Sequence, residues 1–151
     1  MKKTIETKRK EETQDLGYRL GKLIKQPVTL LMFGDLGAGK TTFTQGLAKG
    51  LGVTRRVNSP TFNILKIYQG RLPLYHLDAY RLEGIHQDLG FEEYLEDSDG
   101  VVVVEWPMYI TDLLPENNIR ITIVNGNDDQ RMITIETNGA LEQALAKEWL
   151  C

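Results

Sequence analysis

Residues 34–41 read Gly34-Asp35-Leu36-Gly37-Ala38-Gly39-Lys40-Thr41 and fit the pattern G-x-x-x-x-G-K-[ST] without a mismatch. Few octapeptides constrain a fold more, because this one must lie between a buried strand and the first turn of a helix. Both flanks agree with that demand. Val28-Thr29-Leu30-Leu31-Met32-Phe33, opened by Pro27, is a short apolar run that predicts a buried strand. Downstream, Phe43, Leu47 and Leu51 recur at every fourth position and predict a helix ending near Gly50 or Gly52.

Each residue type in the loop has its own physical reason. A polyphosphate carries several charges in a small volume and must be met by many donors. Glycine reaches dihedrals that other residues resist, so successive N–H groups can turn inward. A helix beginning near Lys40 adds unpaired N–H groups and the positive end of its dipole. Lys40 is placed for the β- and γ-phosphates, and the Thr41 hydroxyl for a Mg²⁺ shell. Asp35, Leu36, Gly37, Ala38, Gly39, Lys40, Thr41 and Thr42 are therefore the candidate nucleotide-binding residues, with Lys40 expected to face the surface.

At 151 residues the chain is expected to be one domain, 1–151, with a real core. A net charge of −3 gives no global argument for nucleic-acid binding. Cys151 is the only cysteine, which rules out an internal disulfide and suits a reducing compartment. The N-terminal lysines have no apolar run behind them, and no stretch approaches the length of a membrane span. A cytoplasmic protein without a membrane partner is expected.

The remaining pattern places further elements. Thr4 to Thr7 reads as a short edge strand. Leu16, Leu20, Leu23 and Ile24 form a helical stripe over about Glu11 to Lys25. Thr61 to Tyr68 and Leu72 to Asp78 form a hairpin about Gln69-Gly70, with Pro73 near a strand start. Gln87 to Glu96 predicts a short acidic helix. Val101-Val102-Val103-Val104 is the unbroken β-branched run of a strand buried on both faces. Ile119, Ile121 and Ile123 and then Ile133 and Ile135 alternate around Asn125-Gly126-Asn127-Asp128-Asp129, a second hairpin. Ala140 to Leu150 closes as a helix with Leu141, Ala144, Leu145 and Trp149 inward. The fold class is α/β, a P-loop NTPase-like three-layer sandwich with a mixed, mostly parallel sheet, β-hairpins and flanking helices.

Such a loop works with a carboxylate at the C-terminal end of a neighbouring strand, where Mg²⁺ finds hard oxygen ligands. Glu105 follows the four valines directly, and Asp78 ends the strand of the first hairpin. One would hold the metal and the other orient the attacking water, so Lys40, Asp78 and Glu105 are the catalytic candidates and Thr41 and Glu105 the metal candidates. Which carboxylate binds the metal directly stays open. Ser59-Pro60-Thr61 is either a segment that senses the γ-phosphate or a turn before a strand. Trp106 lies either against the nucleotide or in the core. His76 reads as part of a hairpin face, and His86 has no partner at metal-ligand spacing. Arg55-Arg56 is either a contact patch or a solvated loop.

Taken together, Gly-Asp-Leu-Gly-Ala-Gly-Lys-Thr-Thr at 34–42, Ser-Pro-Thr-Phe at 59–62, His-Leu-Asp-Ala-Tyr-Arg-Leu at 76–82 and Val-Glu-Trp-Pro at 104–107 resemble the TsaE (YjeE) family. The resemblance covers nearly the whole chain. It implies a small ATP-dependent, Mg²⁺-dependent ATPase needed for threonylcarbamoyladenosine (t6A) modification of tRNA. It also implies action on TsaD and TsaB rather than catalysis of the transfer, with tRNA met only through that complex. By matching position, Lys40 and Thr41 serve phosphate and Mg²⁺, Glu105 is the metal-side carboxylate and Asp78 supports hydrolysis. Ser59 with Thr61 forms a switch-like segment, and Trp106 lies near the nucleotide. After Pro107 the chain departs from the family pattern with Met-Tyr-Ile-Thr.

Three other classes compete, one of them a nucleotide-dependent nucleic-acid binder, which the acidic total counts against. A small-molecule kinase needs an acceptor pocket and an arginine-rich lid, whereas here only Arg55-Arg56 are paired and no insertion is long enough. A GTP switch module would be expected to carry Asn-Lys-x-Asp, which is absent. No arginine within the recognised motifs is placed to act on a γ-phosphate, which predicts slow turnover by the isolated chain.

Overall fold

The computed structural model describes residues 1–35, 37–57, 64–82, 92–96 and 98–151. Its strands are β1 Lys2–Thr7, β2 Val28–Phe33, β3 Leu65–Tyr68, β4 Leu74–Asp78, β5 Val101–Glu105, β6 Asn118–Asn125 and β7 Arg131–Asn138. The helices are α1 Lys10–Leu23, α2 Lys40–Gly50, α3 Glu92–Glu96 and α4 Ala140–Trp149. All seven strands join one sheet in the order β1-β7-β6-β2-β5-β4-β3. β6, β2, β5 and β4 run parallel to one another, and β7, β1 and β3 add antiparallel edges. The two hairpins supply two antiparallel pairs, β1 adds a third by pairing with β7 from the other end of the chain, and crossover connections supply the parallel pairs.

The four valines of β5 show why the centre is apolar in an unbroken run. Val101 and Val103 join the core beneath α1, α2 and α4 with Leu30, Met32, Phe43, Leu47 and Trp149. Val102 and Val104 join a second core on the opposite face with Leu31, Tyr75, Leu77, Leu95 and Ile110. Alternating side chains on a strand covered on both faces must all be apolar.

Helix α1 packs on α2 more closely than its leucine stripe suggests. A Cβ at Gly17 would strike the Phe43 carbonyl oxygen, and one at Gly46 the Gln14 carbonyl oxygen. Backbone therefore meets backbone, and α2 is held hard against α1 directly behind the glycine loop.

Helix α4 corrects the expected inward face. Leu141 and Ala144 are exposed, and Glu142, Ala146, Trp149 and Leu150 are buried, with Leu145 partly so. Trp149 decides the rotation: its indole Nε1 donates to the Leu16 carbonyl at 2.9 Å, and its ring meets Phe43 edge-on with centroids 6.1 Å apart. Residues three, four and seven before it then face inward. Residues 61–63 of the expected third strand and 87–91 of the expected acidic helix lie outside the described residues. Among the described residues no helix is long and apolar enough to cross a membrane.

Candidate functional site

The loop leaves β2 at Phe33 and enters α2 at Lys40. Gly37 has φ +77° and Gly39, the residue capping α2, has φ +107°, a region that a side chain disfavours. The Ala38 N–H donates to the Asp35 carbonyl at 3.1 Å, closing a turn inside the loop, and the Phe43 N–H reaches the Gly39 carbonyl at 3.0 Å as the helix begins. The earlier N–H groups of α2 have no helical partner and form the electropositive end of the helix.

Strand register brings the carboxylates alongside. Met32, Glu105 and Asp78 occupy one row across β2, β5 and β4, at the C-terminal ends of three parallel strands. Lys40 and Glu105 are each only 5% exposed. That corrects the expectation of a surface-facing lysine. The Lys40 Nζ lies 3.8 Å from Glu105 Oε1 and 4.3 Å from the centre of the Trp106 ring, and makes no hydrogen bond among the described residues. Burial pushes the Lys40 ammonium below the usual lysine value, while the Glu105, Asp78 and Asp35 carboxylates pull it back up. Here desolvation exceeds charge pairing. Among the described residues this buried ammonium finds no hydrogen bond to offset its lost hydration.

Trp106 reaches Lys40 through an unusual backbone. Its φ of +56° is left-handed, rare for a bulky side chain, and Pro107 follows at once. The indole lies nearly parallel to Tyr109, with centroids 6.2 Å apart, and edge-on to Tyr80 at 5.0 Å. Asp78 is half-buried, and its Oδ1 accepts the Tyr80 N–H at 2.9 Å, so it caps the turn that follows β4.

A cavity of about 330 Å³ opens over the loop, at the lower end of the range for small-molecule sites. Gly37, Gly39, Lys40, Thr41, Thr42 and Glu105 line it. Asp35, Ala38, Asp78 and Trp106 stand nearby without lining it, and Leu36, Ser59 and Thr61 lie outside the described residues. Lys10, Thr13, Asp129 and Arg131 also line it and were not anticipated. Arg131 opens β7, and its Nε donates to the Ala38 carbonyl at 2.8 Å while Nη1 donates to the Asp128 and Gln130 carbonyls at 2.7 and 2.8 Å. Nothing local marks these four residues, because strand order alone carries β7 and the start of α1 to the loop.

His76 is the other unanticipated member. It is fully buried on β4, and its Nε2 lies 2.5 Å from Glu105 Oε2. The expectation of a hairpin-face residue described its strand but not its partner.

A glycine loop between a parallel strand and a helix N-terminus, with a carboxylate ending the neighbouring strand, defines a P-loop-type α/β protein. The comparisons narrow that class. The family model for "Threonylcarbamoyl adenosine biosynthesis protein TsaE" matches residues 7–133. A Bacillus subtilis tRNA threonylcarbamoyladenosine biosynthesis protein TsaE is 47% identical over 139 residues, covering 91% of this chain and 87% of the relative. The Treponema pallidum protein of the same name is 39% identical over 127 residues, covering 83% and 93%. A crystal structure of Bacillus subtilis YdiB superposes with a TM-score of 0.84 at 38% identity, covering 99% of this chain and 94% of that one. The chain belongs to the TsaE family.

Proposed function

We propose that the chain, acting as one unit, binds ATP with Mg²⁺, hydrolyses it slowly by itself, and serves t6A modification of tRNA in the cytoplasm. Its family and its relatives' names support the pathway. The observation that carries the nucleotide is the Lys40 ammonium, buried without a hydrogen bond among the described residues at the head of α2 beside an open cavity. An anion entering there supplies the missing acceptors and meets the free N–H groups of the helix.

The donor set suits magnesium too: Thr41 lines the cavity beside Glu105, whose Oε1 faces Lys40. When bound, Mg²⁺ would be held by the Thr41 hydroxyl and Glu105, and it supplies charge neutralisation at the terminal phosphates. Lys40 leaves Glu105 for phosphate. Asp78, one strand over in the same row, orients water from the opposite side of that carboxylate, and Trp106 closes over the lysine. Ser59 and Thr61 sense the γ-phosphate.

Slow turnover follows from the arginines whose side chains are described. Arg131 reaches the cavity, but its guanidinium is already engaged with the Ala38 carbonyl of the glycine loop and the Asp128 and Gln130 carbonyls of the β6–β7 turn. It braces the loop and is not free to track a developing charge. A partner supplies the stimulation, and the partners are TsaD and TsaB, with tRNA met through their complex. Vigorous hydrolysis by the pure chain would sink this reading.

Three measurements test the proposal. Titration with a fluorescent ATP analogue, competed by ATP and GTP, should show Mg²⁺-dependent binding that Lys40→Ala abolishes while far-UV circular dichroism stays unchanged. A pull-down with TsaD and TsaB should depend on ATP. Cells lacking the gene should lose t6A; intact t6A in them would refute the biological assignment.

A further inference from the structure

We infer that His76 is a positioning residue for Glu105, fixing the carboxylate so that one oxygen alone faces the nucleotide cavity. The inference rests on the reading that Glu105 works on bound ATP–Mg²⁺. Its foundation is geometric. On β4, His76 pairs with Val103 and Asp78 with Glu105, so His76 is the diagonal neighbour of Glu105 on the same sheet face. Its Nε2 meets Glu105 Oε2 at 2.5 Å, leaving Oε1 turned toward Lys40 at 3.8 Å.

Packing gives no reason for a histidine there. The ring is 0% exposed; Leu74 and Val103 on its face are fully buried apolar residues, while Lys66 and Asp78 on that face are half-buried and polar. Its other nitrogen, Nδ1, has no hydrogen-bond partner among the described residues. A buried polar atom left unsatisfied is destabilising, and a leucine would avoid that cost. In the neutral ring the Nε2 proton is donated to Glu105, and Nδ1 is an acceptor unmatched among the described residues. The stability disadvantage is offset only if Glu105 needs an oriented partner.

Orientation matters because, among the described residues, no other side chain holds this carboxylate once a phosphate takes Lys40. Without the imidazole, Glu105 could turn either oxygen, or both, toward the cavity. Partners of this kind behind a metal-facing ligand are commonly worth about 10- to 100-fold in metal affinity or activity.

The test uses the full chain and three variants: His76→Leu, which removes the donor; His76→Gln, whose amide nitrogen reaches the Nε2 position; and His76→Asn, whose amide falls short. Two quantities are read, the gain in affinity for a fluorescent ATP analogue on adding Mg²⁺, and kcat against KM for ATP hydrolysis. His76→Leu and His76→Asn should shrink the Mg²⁺-dependent gain and lower kcat by about tenfold or more, with metal-free affinity and KM nearly unchanged. His76→Gln should restore most of both. A merely structural histidine would instead lower the melting temperature and leave the Mg²⁺ gain and kcat alone, and that result overturns the inference. If the leucine variant does not fold, the Gln and Asn variants decide, and equal behaviour of the two overturns it. Wild-type protein without Mg²⁺-dependent ATP binding defeats the nucleotide reading and this inference together, whereas normal wild-type binding with indifferent variants defeats only the inference.

Discussion

Arg131 reaches the loop from a strand 93 positions beyond Ala38 in the chain. A peptide is planar, so holding the Ala38 carbonyl by one face points the Gly39 N–H the opposite way. The arginine thus sets the orientation of a donor in the loop without itself needing to touch a phosphate. Replacing it by methionine keeps much of the apolar stem and removes the hydrogen bonds. Arg131→Met should weaken binding of an ATP analogue about tenfold, the equivalent of one or two hydrogen bonds, while the melting temperature moves by only a few degrees. A fluorescence titration beside a thermal melt checks both halves. Lys40 teaches a related lesson. Its type and position were legible from the motif, but its burial against Glu105 and Trp106 was not, because that depends on a strand 65 residues later and on a left-handed backbone at Trp106.

Among elements, the α1–α2 contact and the β4–β5 junction have opposite characters, one steric and one polar. At Gly46 an alanine would gain about 1 kcal/mol of helix propensity. Its Cβ, however, would collide with the Gln14 backbone carbonyl, and overpacking against a backbone that cannot rotate away costs about 1–3 kcal/mol or more. The clash wins, so Gly46→Ala should lower stability by roughly 2 kcal/mol in urea denaturation, against the propensity scale. At the other junction, the Tyr75 phenol of β4 donates to Asp99 Oδ1 at 2.5 Å, just before β5. That hydrogen bond, with burial, pushes the phenol up to about 12. A tyrosine in the unfolded chain titrates near pH 10, so the folded state keeps its proton where the unfolded state loses it. The stabilisation is present in full below about pH 10 and is lost as pH rises through about 12. Tyr75→Phe should therefore cost about 1 kcal/mol near neutral pH, and the gap from wild type should close between about pH 10 and 12. Denaturant titrations across that range would show it, and a gap that widens would contradict it.

Over the whole molecule, Trp149 joins three helices. It lies on α4, donates to a carbonyl of α1 and meets Phe43 of α2, one turn beyond the loop lysine. Trp149→Ala should destabilise the protein by about 3–5 kcal/mol, lowering the urea midpoint with little change in the slope of the transition. A loss below about 1 kcal/mol would mean that α4 docks without it. The rotation of that helix is also where the sequence pattern misled, since Leu141 and Ala144 share a plausible apolar spacing with Leu145 and Trp149. What the sequence by itself determined was whatever a short window encodes: the strand–loop–helix of residues 28–50, the doubly buried β5, both hairpins, and carboxylates at the ends of β4 and β5. Periodicity, turn chemistry and a fixed motif are local properties, so they survive without coordinates. Only the tertiary structure decided that Arg131 braces the loop, that His76 backs Glu105, that α1 and α2 touch backbone to backbone, and which face α4 turns inward. Those contacts join residues far apart in the chain, and they depend on strand order, register and the fit of one surface on another, none of which a local window carries.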